Sequence, residues 1–303
     1  MTEIMEMQTP FFSIIIPTYN RAHVLPKAIQ SVLGQNYVNW ELIIIDDGST
    51  DNTAAVVNDF NDERIKYHPQ KNTERSQARN NGIKFSKGKY ICFLDSDDEY
   101  CNNHLSAFYD FIISKLYPKG IVFSNPVIVN NGIEIRENIP AFIQTDTLSY
   151  ILTNSIIPDR VCIHHEVFNH YLFNPKVHIG EDTILWAQIT NTFPMWHLNE
   201  YTVKYLIHDD NSVNLKNNVY RNRLDGLRQL FHENEIKKRL SVKLKNQIIS
   251  VCFYGIARHF ELKKDFFRMT FNAVLSIVYD LKSPHNKAKL YMIYNFFRSK
   301  EVR

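Results

Sequence analysis

The sequence predicts an α/β fold, a mostly parallel sheet with flanking helices, followed by a mostly helical C-terminal region. Three observations predict it. Short apolar runs at Phe11–Ile16, Trp40–Ile45 and Tyr90–Leu94 carry no polar alternation, the pattern of strands buried on both faces. Stretches with helical spacing separate them, as parallel connections require. From Asn217 onward the strand signals stop and helix follows helix.

Phe11–Ile16 (FFSIII) is the first strand, stopped by Pro17 and followed by PTYNRA. Val24, Leu25, Ala28, Ile29, Val32 and Leu33 then have helical spacing, with Pro26 near the start and Gly34 as the stop. Trp40–Ile45 (WELIII) is a second strand ending in DDGSTD, whose Asp51 is expected to cap a helix through Phe60. Arg64–His68 reads as a third strand, Glu74–Ser86 as a helix, and Tyr90–Leu94 as the strand that closes the unit. A helix over Asn103–Leu116 follows, then two strands, Ile121–Asn125 and Val127–Val129, around Pro126. Ser149–Leu152 is expected to be helical, Asp159–His165 a strand, and Glu166–Tyr171 a short helix. Gly180-Glu181-Asp182 opens a helix through Ile189, and Tyr201–His208 alternates as a strand. The last segments, Tyr220–Asn234, Val242–Glu261, Lys264–Leu281 and His285–Phe297, are helical, with Ser283-Pro284 as a breaker.

With 303 residues, 44% hydrophobic and 22% charged, the chain has ample material for a globular core. No apolar run approaches the roughly 20 residues of a membrane span. MTEIMEMQTP lacks the basic-then-apolar order of a secretory signal, and Cys92, Cys101, Cys162 and Cys252 are scattered, so reduced thiols and a cytoplasmic location are expected. The charge is uneven. Residues 217–303 hold 18 Lys+Arg against 7 Asp+Glu, a balance of +11, whereas residues 1–216 hold 17 against 25, or −8. A basic tail of this kind suits an anionic partner: phospholipid, lipid diphosphate or nucleic acid.

The strongest chemical signal is Tyr90–Leu94 running into Asp95, Asp97, Asp98 and Glu99. Carboxylates crowded at the end of a buried strand repel one another and are costly to desolvate. A divalent cation that also holds a phosphate offsets that cost. Ligands of parallel sheets bind at the carboxyl edge of the strands, and PTYN, DDGSTD and DSDD each follow a strand there. No GxGxxG or GxxxxGK[ST] pattern is present, which excludes the glycine-rich phosphate cradles. His164-His165-Glu166 lacks the HExxH spacing and reads as a strand end meeting a helix.

FSIIIPTYNRAHVLPKAIQSVLGQ, WELIIIDDGSTDNT, ARNNGIKFSKGKYICFLDSDD, GEDTILW and HDDNSVN resemble, in order, the inverting nucleotide-sugar glycosyltransferases of family 2, which have the GT-A fold. The resemblance covers residues 11–213. It implies a catalytic domain over 1–216, its nucleotide-sugar half at 11–100 and its acceptor half at 101–216, with 217–303 as an appended region. Pro17, Tyr19 and Asp47 would line the nucleoside pocket, with Asn20 and Arg75 also assigned to the donor. Asp95, Ser96 and Asp97 would form the DxD motif: Asp95 toward ribose or donor sugar, Asp97 on Mn²⁺ or Mg²⁺. His208 would complete the metal or diphosphate site, and Asp182 would be the catalytic base, with Glu181 as the competing choice. Arg79 is read as structural, paired to a carboxylate. The co-substrate implied is a UDP-sugar, and the acceptor a saccharide or polyprenyl-diphosphate-linked saccharide, with no nucleic acid partner. The basic C-terminal region, including KLYMIYNFFRSK, would either give peripheral contact with the inner membrane face or serve as a helical cap completing the core. The glycine-rich turn that family members carry before their Glu-Asp pair is replaced here by YLFNPKVHIGED. A sugar-nucleotide-binding scaffold without catalysis and a nucleotidyltransferase of related fold are the alternative readings.

Overall fold

The computed structural model describes residues 9–136, 139–208 and 218–301. The chain divides into two compact units: Met1–Thr147, Ser155–Lys176 and Leu185–Ile207 form the first, and Leu148–Asn154, Val177–Ile184 and His208–Arg303 the second.

The first unit is built on β1 (Phe12–Thr18), β2 (Trp40–Asp46), β3 (Ile65–Pro69) and β4 (Tyr90–Phe93), all parallel, in the order β3-β2-β1-β4. Every residue of β1, β2 and β4 is buried, because helices cover both faces of the sheet. Those helices are α1 (Leu25–Leu33), α2 (Thr53–Asn58) and α3 (Arg75–Phe85). Ile14, Ile16, Leu42 and Ile44 meet Leu25, Ile29 and Val32 in one core cluster. Each such side chain contributes roughly 1.5–3 kcal/mol by leaving water. On the other face α3 approaches β1 closely enough that a Cβ on Gly82 would lie 2.4 Å from Ile15 Cγ2.

The remaining strands are β5 (Glu99–Tyr100), β6 (Ile121–Asn130), β7 (Ile133–Ile135), β8 (Val161–His164) and β9 (Met195–Ile207). They extend the sheet beyond β4 as β8-β6-β9-β5, with β7 on β6, and mix parallel with antiparallel pairs. The helix after the acidic cluster is α4 (His104–Ser114), and α5 (Thr147–Thr153) and α6 (Glu181–Ile189) lie near their expected places.

Several expectations are corrected. Pro126 does not divide two strands: β6 is continuous, and register shifts around Asn125 and Pro126 absorb the missing N–H. Asp159 and Arg160 form a buried 3-10 turn with Pro158 ahead of β8, and His165–Asn169 is a 3-10 turn. β9 begins at Met195, six residues before the expected Tyr201, since the MWHLNE stretch lacks the alternation by which a half-buried strand is read. Glu99 belongs to β5, opposite Lys204, and so leaves the acidic loop. Asp51 accepts from the N–H groups of Ala22 and Thr53 and sits two residues ahead of the start of α2, which ends at Asn58.

The second unit is helical: α7 (Val219–Leu230), α8 (Asn234–Arg239), α9 (Val242–Leu262), α10 (Phe266–Tyr279) and α11 (Asn286–Glu301). The single helix expected over Tyr220–Asn234 ends at Leu230, and α8 is an additional turn and a half. Ser241 caps α9 by accepting from Leu244 N–H, and Asp265 caps α10 by accepting from Arg268 N–H. Ser250 and Ser276 exchange hydroxyl-to-carbonyl bonds of 2.7 Å between α9 and α10, which satisfies two buried hydroxyls.

Candidate active site

The carboxyl ends of β1, β2, β3 and β4 present four loops to one edge. Their connections are fixed by a network that needs no ligand. Asp47 N–H donates to Thr18 O at 2.8 Å. Asn20, held at φ 52°, donates its N–H to Ser49 Oγ and accepts Thr50 N–H on Oδ1, both at 2.8 Å. Asp46 accepts Ser49 N–H at 2.8 Å and the Tyr67 hydroxyl. Gly48 supplies φ +84°, and a side chain there would also press on Asn72 N.

Asp47 is buried, and its Oδ1 accepts from Gln70 Nε2 (2.6 Å), Thr73 N–H (2.8 Å) and Thr73 Oγ (3.3 Å). This holds the carboxylate in one orientation. Pro17 is buried in β1 while Tyr19, two residues on, is an exposed aromatic ring beside the network. An exposed ring next to a fixed carboxylate suits a nucleoside, whose base offers a π-face and whose ribose offers hydroxyl donors. Arg75 opens α3 at the end of the third loop.

The four acids after β4 have different fates. Asp95 accepts Arg79 at 2.6 Å, an ion pair whose guanidinium is buried and lies over the Phe173 ring. Asn80, next in the chain, bonds both ways with the Phe173 backbone, so the ARN segment anchors this loop. The structure thus gives Arg79 the carboxylate partner expected for it and identifies that partner as Asp95. Asp95 N–H donates to Asp159 Oδ1 at 2.8 Å. Asp98, also buried, accepts Leu206 N–H from β9 at 2.8 Å and is hydrogen-bonded to the Asp159 carboxyl.

Two carboxyl groups sharing a hydrogen bond in the interior must hold a proton between them. Burial, then the neighbouring charges, lift Asp98 to about 7, and burial with the Asp95 and Asp98 charges raises Asp159 well above the usual carboxylate range. Burial and the same four aspartates raise the Tyr205 phenol to about 12.

Asp97, part-exposed like Asp95, lies 3.7 Å from Arg21. Ser96 between them is buried. Among the described residues no three His, Cys, Asp or Glu side chains form a group that could hold a metal ion. A cation at this edge would have to be held by one or two carboxylates and completed by phosphate oxygens and water. His208 follows the last residue of β9, and the DDNSVN part of its motif lies outside the described residues.

Sequence reasoning missed Arg21 and Asp159 at this edge. Arg21 stood in plain view after PTYN. Asp159 carried a usable signal, a carboxylate inside the apolar stretch IIPDRVCI.

Glu181 and Asp182 belong to the second unit. Gly180, at φ +79°, turns the chain into α6, and its carbonyl accepts Ile184 N–H to start the helix. Glu181 is buried in the first turn. Asp182 is part-exposed, and its Oδ1 accepts Thr183 N–H at 2.6 Å and Thr183 Oγ at 3.3 Å.

Residues 13–164, half of the chain, match the family described as glycosyl transferase family 2. The protein named UDP-Glc:alpha-D-GlcNAc-diphosphoundecaprenol beta-1,3-glucosyltransferase WfgD, from Escherichia coli, is 37% identical over 181 residues, covering 58% of this chain and 68% of its own. A Rickettsia bellii (strain RML369-C) protein described as an uncharacterized glycosyltransferase is 31% identical over 221 residues, 69% of this chain. The chain spans 30% of the length of that relative. Among solved structures, S. aureus TarS 1-349 in complex with UDP-GlcNAc superposes with a TM-score of 0.61 at 16% identity, over 88% of either chain. At that identity the likeness is one of fold, the GT-A arrangement of a mostly parallel sheet followed by helices.

Proposed function

Because the chain belongs to glycosyl transferase family 2, we propose that it is an inverting, metal-dependent transferase acting in surface polysaccharide synthesis. It moves a sugar from a nucleotide donor, UDP-linked, to a saccharide or a polyprenyl-diphosphate-linked saccharide. The observation that carries this reading is the carboxyl edge of the sheet. There a fixed, buried Asp47, an exposed Tyr19 and a part-exposed Asp97 converge on loops already held in place. WfgD, by its name, uses UDP-Glc and a diphosphoundecaprenol-linked GlcNAc, which supports this donor and acceptor class.

In the proposed mechanism, Pro17, Tyr19, Asn20 and Asp47 receive the nucleoside, and Asp47 accepts from the base edge or ribose. Arg79 keeps Asp95 aligned toward the ribose or sugar, and Arg75 offers positive charge to the diphosphate. Asp97, with His208 as the further ligand, would hold Mn²⁺ or Mg²⁺. The cation's chemistry is to neutralise the charge that builds on the departing diphosphate. Asp182 takes the proton from the acceptor hydroxyl as it attacks the anomeric carbon, a single displacement that inverts configuration. Its part-exposed carboxylate favours Asp182 over the buried Glu181 for this task. Residues 1–216 serve as the catalytic domain. The basic region 217–303 brings the protein to the cytoplasmic membrane face where such acceptors reside.

Incubation with a panel of nucleotide sugars and Mn²⁺ tests the proposal. Wild type is expected to hydrolyse or transfer one UDP-sugar in a metal-dependent way. Asp182→Asn should lose about 100-fold or more of that rate while still binding UDP. A wild type that binds no nucleotide, or an Asp182→Asn variant with full activity, overturns it.

A further inference from the structure

α10 carries an apolar stripe on its outer face. Phe267, Phe271, Val274 and Val278 recur at steps of four, three and four, and Leu281 follows three residues later, just past the end of the helix. Their exposure runs from 45% at Val274 to 82% at Phe267. The opposite face buries Met269, Asn272, Ala273 and Ser276, so the helix is anchored while the stripe stays outside. No charged residue lies between Thr270 and Tyr279.

The charges sit at the two ends of the stripe. Lys263 and Lys264 are exposed just before α10, and Lys282 just after it. The nearby acids are engaged: Glu261 with Arg258 at 2.9 Å, Asp265 with Arg268 at 2.8 Å, and Asp280 with the Lys282 N–H at 3.2 Å. An exposed apolar face closed at both ends by lysines has the make-up of a helix lying in a membrane interface.

We propose that this stripe docks the protein on an anionic lipid bilayer, with Phe267, Phe271, Val274, Val278 and Leu281 in the acyl boundary and Lys263, Lys264 and Lys282 among the headgroups. The inference rests on the membrane contact in the proposed function and gives that contact a surface. Fourteen residues at about 1.5 Å each give roughly 21 Å, too short to cross the hydrocarbon core. Among the described residues no helix is long and apolar enough to do so. The alternation of four and three would also suit a coiled-coil seam with a second copy. A second copy, however, brings the same lysines to both ends in either orientation, and the same +11 balance. Anionic headgroups complement the lysines and the acyl layer takes the rings. The segment expected to do this, KLYMIYNFFRSK in α11, begins with a Lys289 that is buried and bonded to Ser250 Oγ and Asn286 Oδ1. Leu290, Tyr291 and Tyr294 of that segment are exposed, so its expected contact stands beside the α10 stripe.

Flotation of the full chain with vesicles of phosphatidylglycerol and phosphatidylethanolamine, and with phosphatidylcholine vesicles, tests this. The wild type should float with the anionic vesicles and lose that binding as salt rises. Phe271→Glu/Val274→Glu/Val278→Glu should stay at the bottom of the gradient. Lys263→Gln/Lys264→Gln/Lys282→Gln should bind roughly 100-fold more weakly, at about fivefold per lysine. Equal flotation of wild type and the glutamate variant overturns the proposal. So does light scattering, without lipid, that finds a wild-type dimer which the glutamate variant dissociates. UDP titration of the same samples reads the catalytic proposal separately, since every variant leaves the nucleotide edge intact.

Discussion

At the scale of the residue, the buried polar groups around the acidic loop decide how it is held. Asp159 accepts Asp95 N–H and shares a proton with Asp98, which in turn holds Leu206 of β9. Asp159→Ala would leave the Asp95 N–H without its acceptor and the Asp98 carboxyl with Leu206 N–H but no partner carboxyl, a loss of roughly 2–4 kcal/mol. Asp159→Asn keeps an acceptor for Asp95 and offers a donor to Asp98, so it should cost less than about 1 kcal/mol. Urea denaturation midpoints compare the two, and equal losses would contradict the shared-proton arrangement. His104 is the acid-sensitive group. It is fully buried, stacked on Tyr100 at 3.6 Å, with Nδ1 3.0 Å from Thr202 Oγ, and burial depresses it to about 3. The unfolded chain takes up this proton below its ordinary value of 6.5, whereas the folded chain resists until about 3. Unfolding is therefore favoured progressively as pH falls between those values, by at most roughly 1.4 kcal/mol per unit. Thermal melts should show a shallower acid limb for His104→Gln than for wild type across pH 6.5 to 4.5. The pairing of Asp159 with Asp95 was not legible beforehand, because 64 residues separate them and no local spacing announces the contact.

At the scale of the element, legibility follows burial. β1, β2 and β4 were readable because both their faces are covered and the sequence is apolar throughout. The two residues of β5 and the three of β7 leave too short a pattern to read, and β9 opens with a mixed face that mimics a loop. The helical periodicities held best where one face packs, as in α9 and α10, whose expected bounds lie within two residues of those observed. Close packing of α3 on β1 is testable. Gly82→Ala places a methyl 2.4 Å from Ile15 Cγ2. Overpacking of about 1–3 kcal/mol outweighs a helix-propensity gain of about 1 kcal/mol. The variant should melt below wild type, and Ile15→Ala should cost less in its background than alone, a coupling that a double-mutant cycle reads. An additive pair would contradict the contact.

At the scale of the whole molecule, the chain combines an acidic α/β part, whose sheet edge is the proposed nucleotide site, with a basic helical region. The edge was legible as three polar clusters after three buried strands, since parallel topology carries strand ends to one side. What the sequence could not convey is how each acid is partnered. Asp95 pairs with Arg79, Asp98 with Asp159 and the Leu206 N–H, and Asp97 lies 3.7 Å from Arg21. The most direct measurement is calorimetric titration of UDP in the presence of Mn²⁺ on wild type, Asp47→Ala and Asp97→Asn. The account predicts binding to wild type, a loss of about tenfold or more in Asp47→Ala, and binding by Asp97→Asn that no longer responds to Mn²⁺. Unchanged UDP affinity in Asp47→Ala, or undiminished Mn²⁺ dependence in Asp97→Asn, would contradict it.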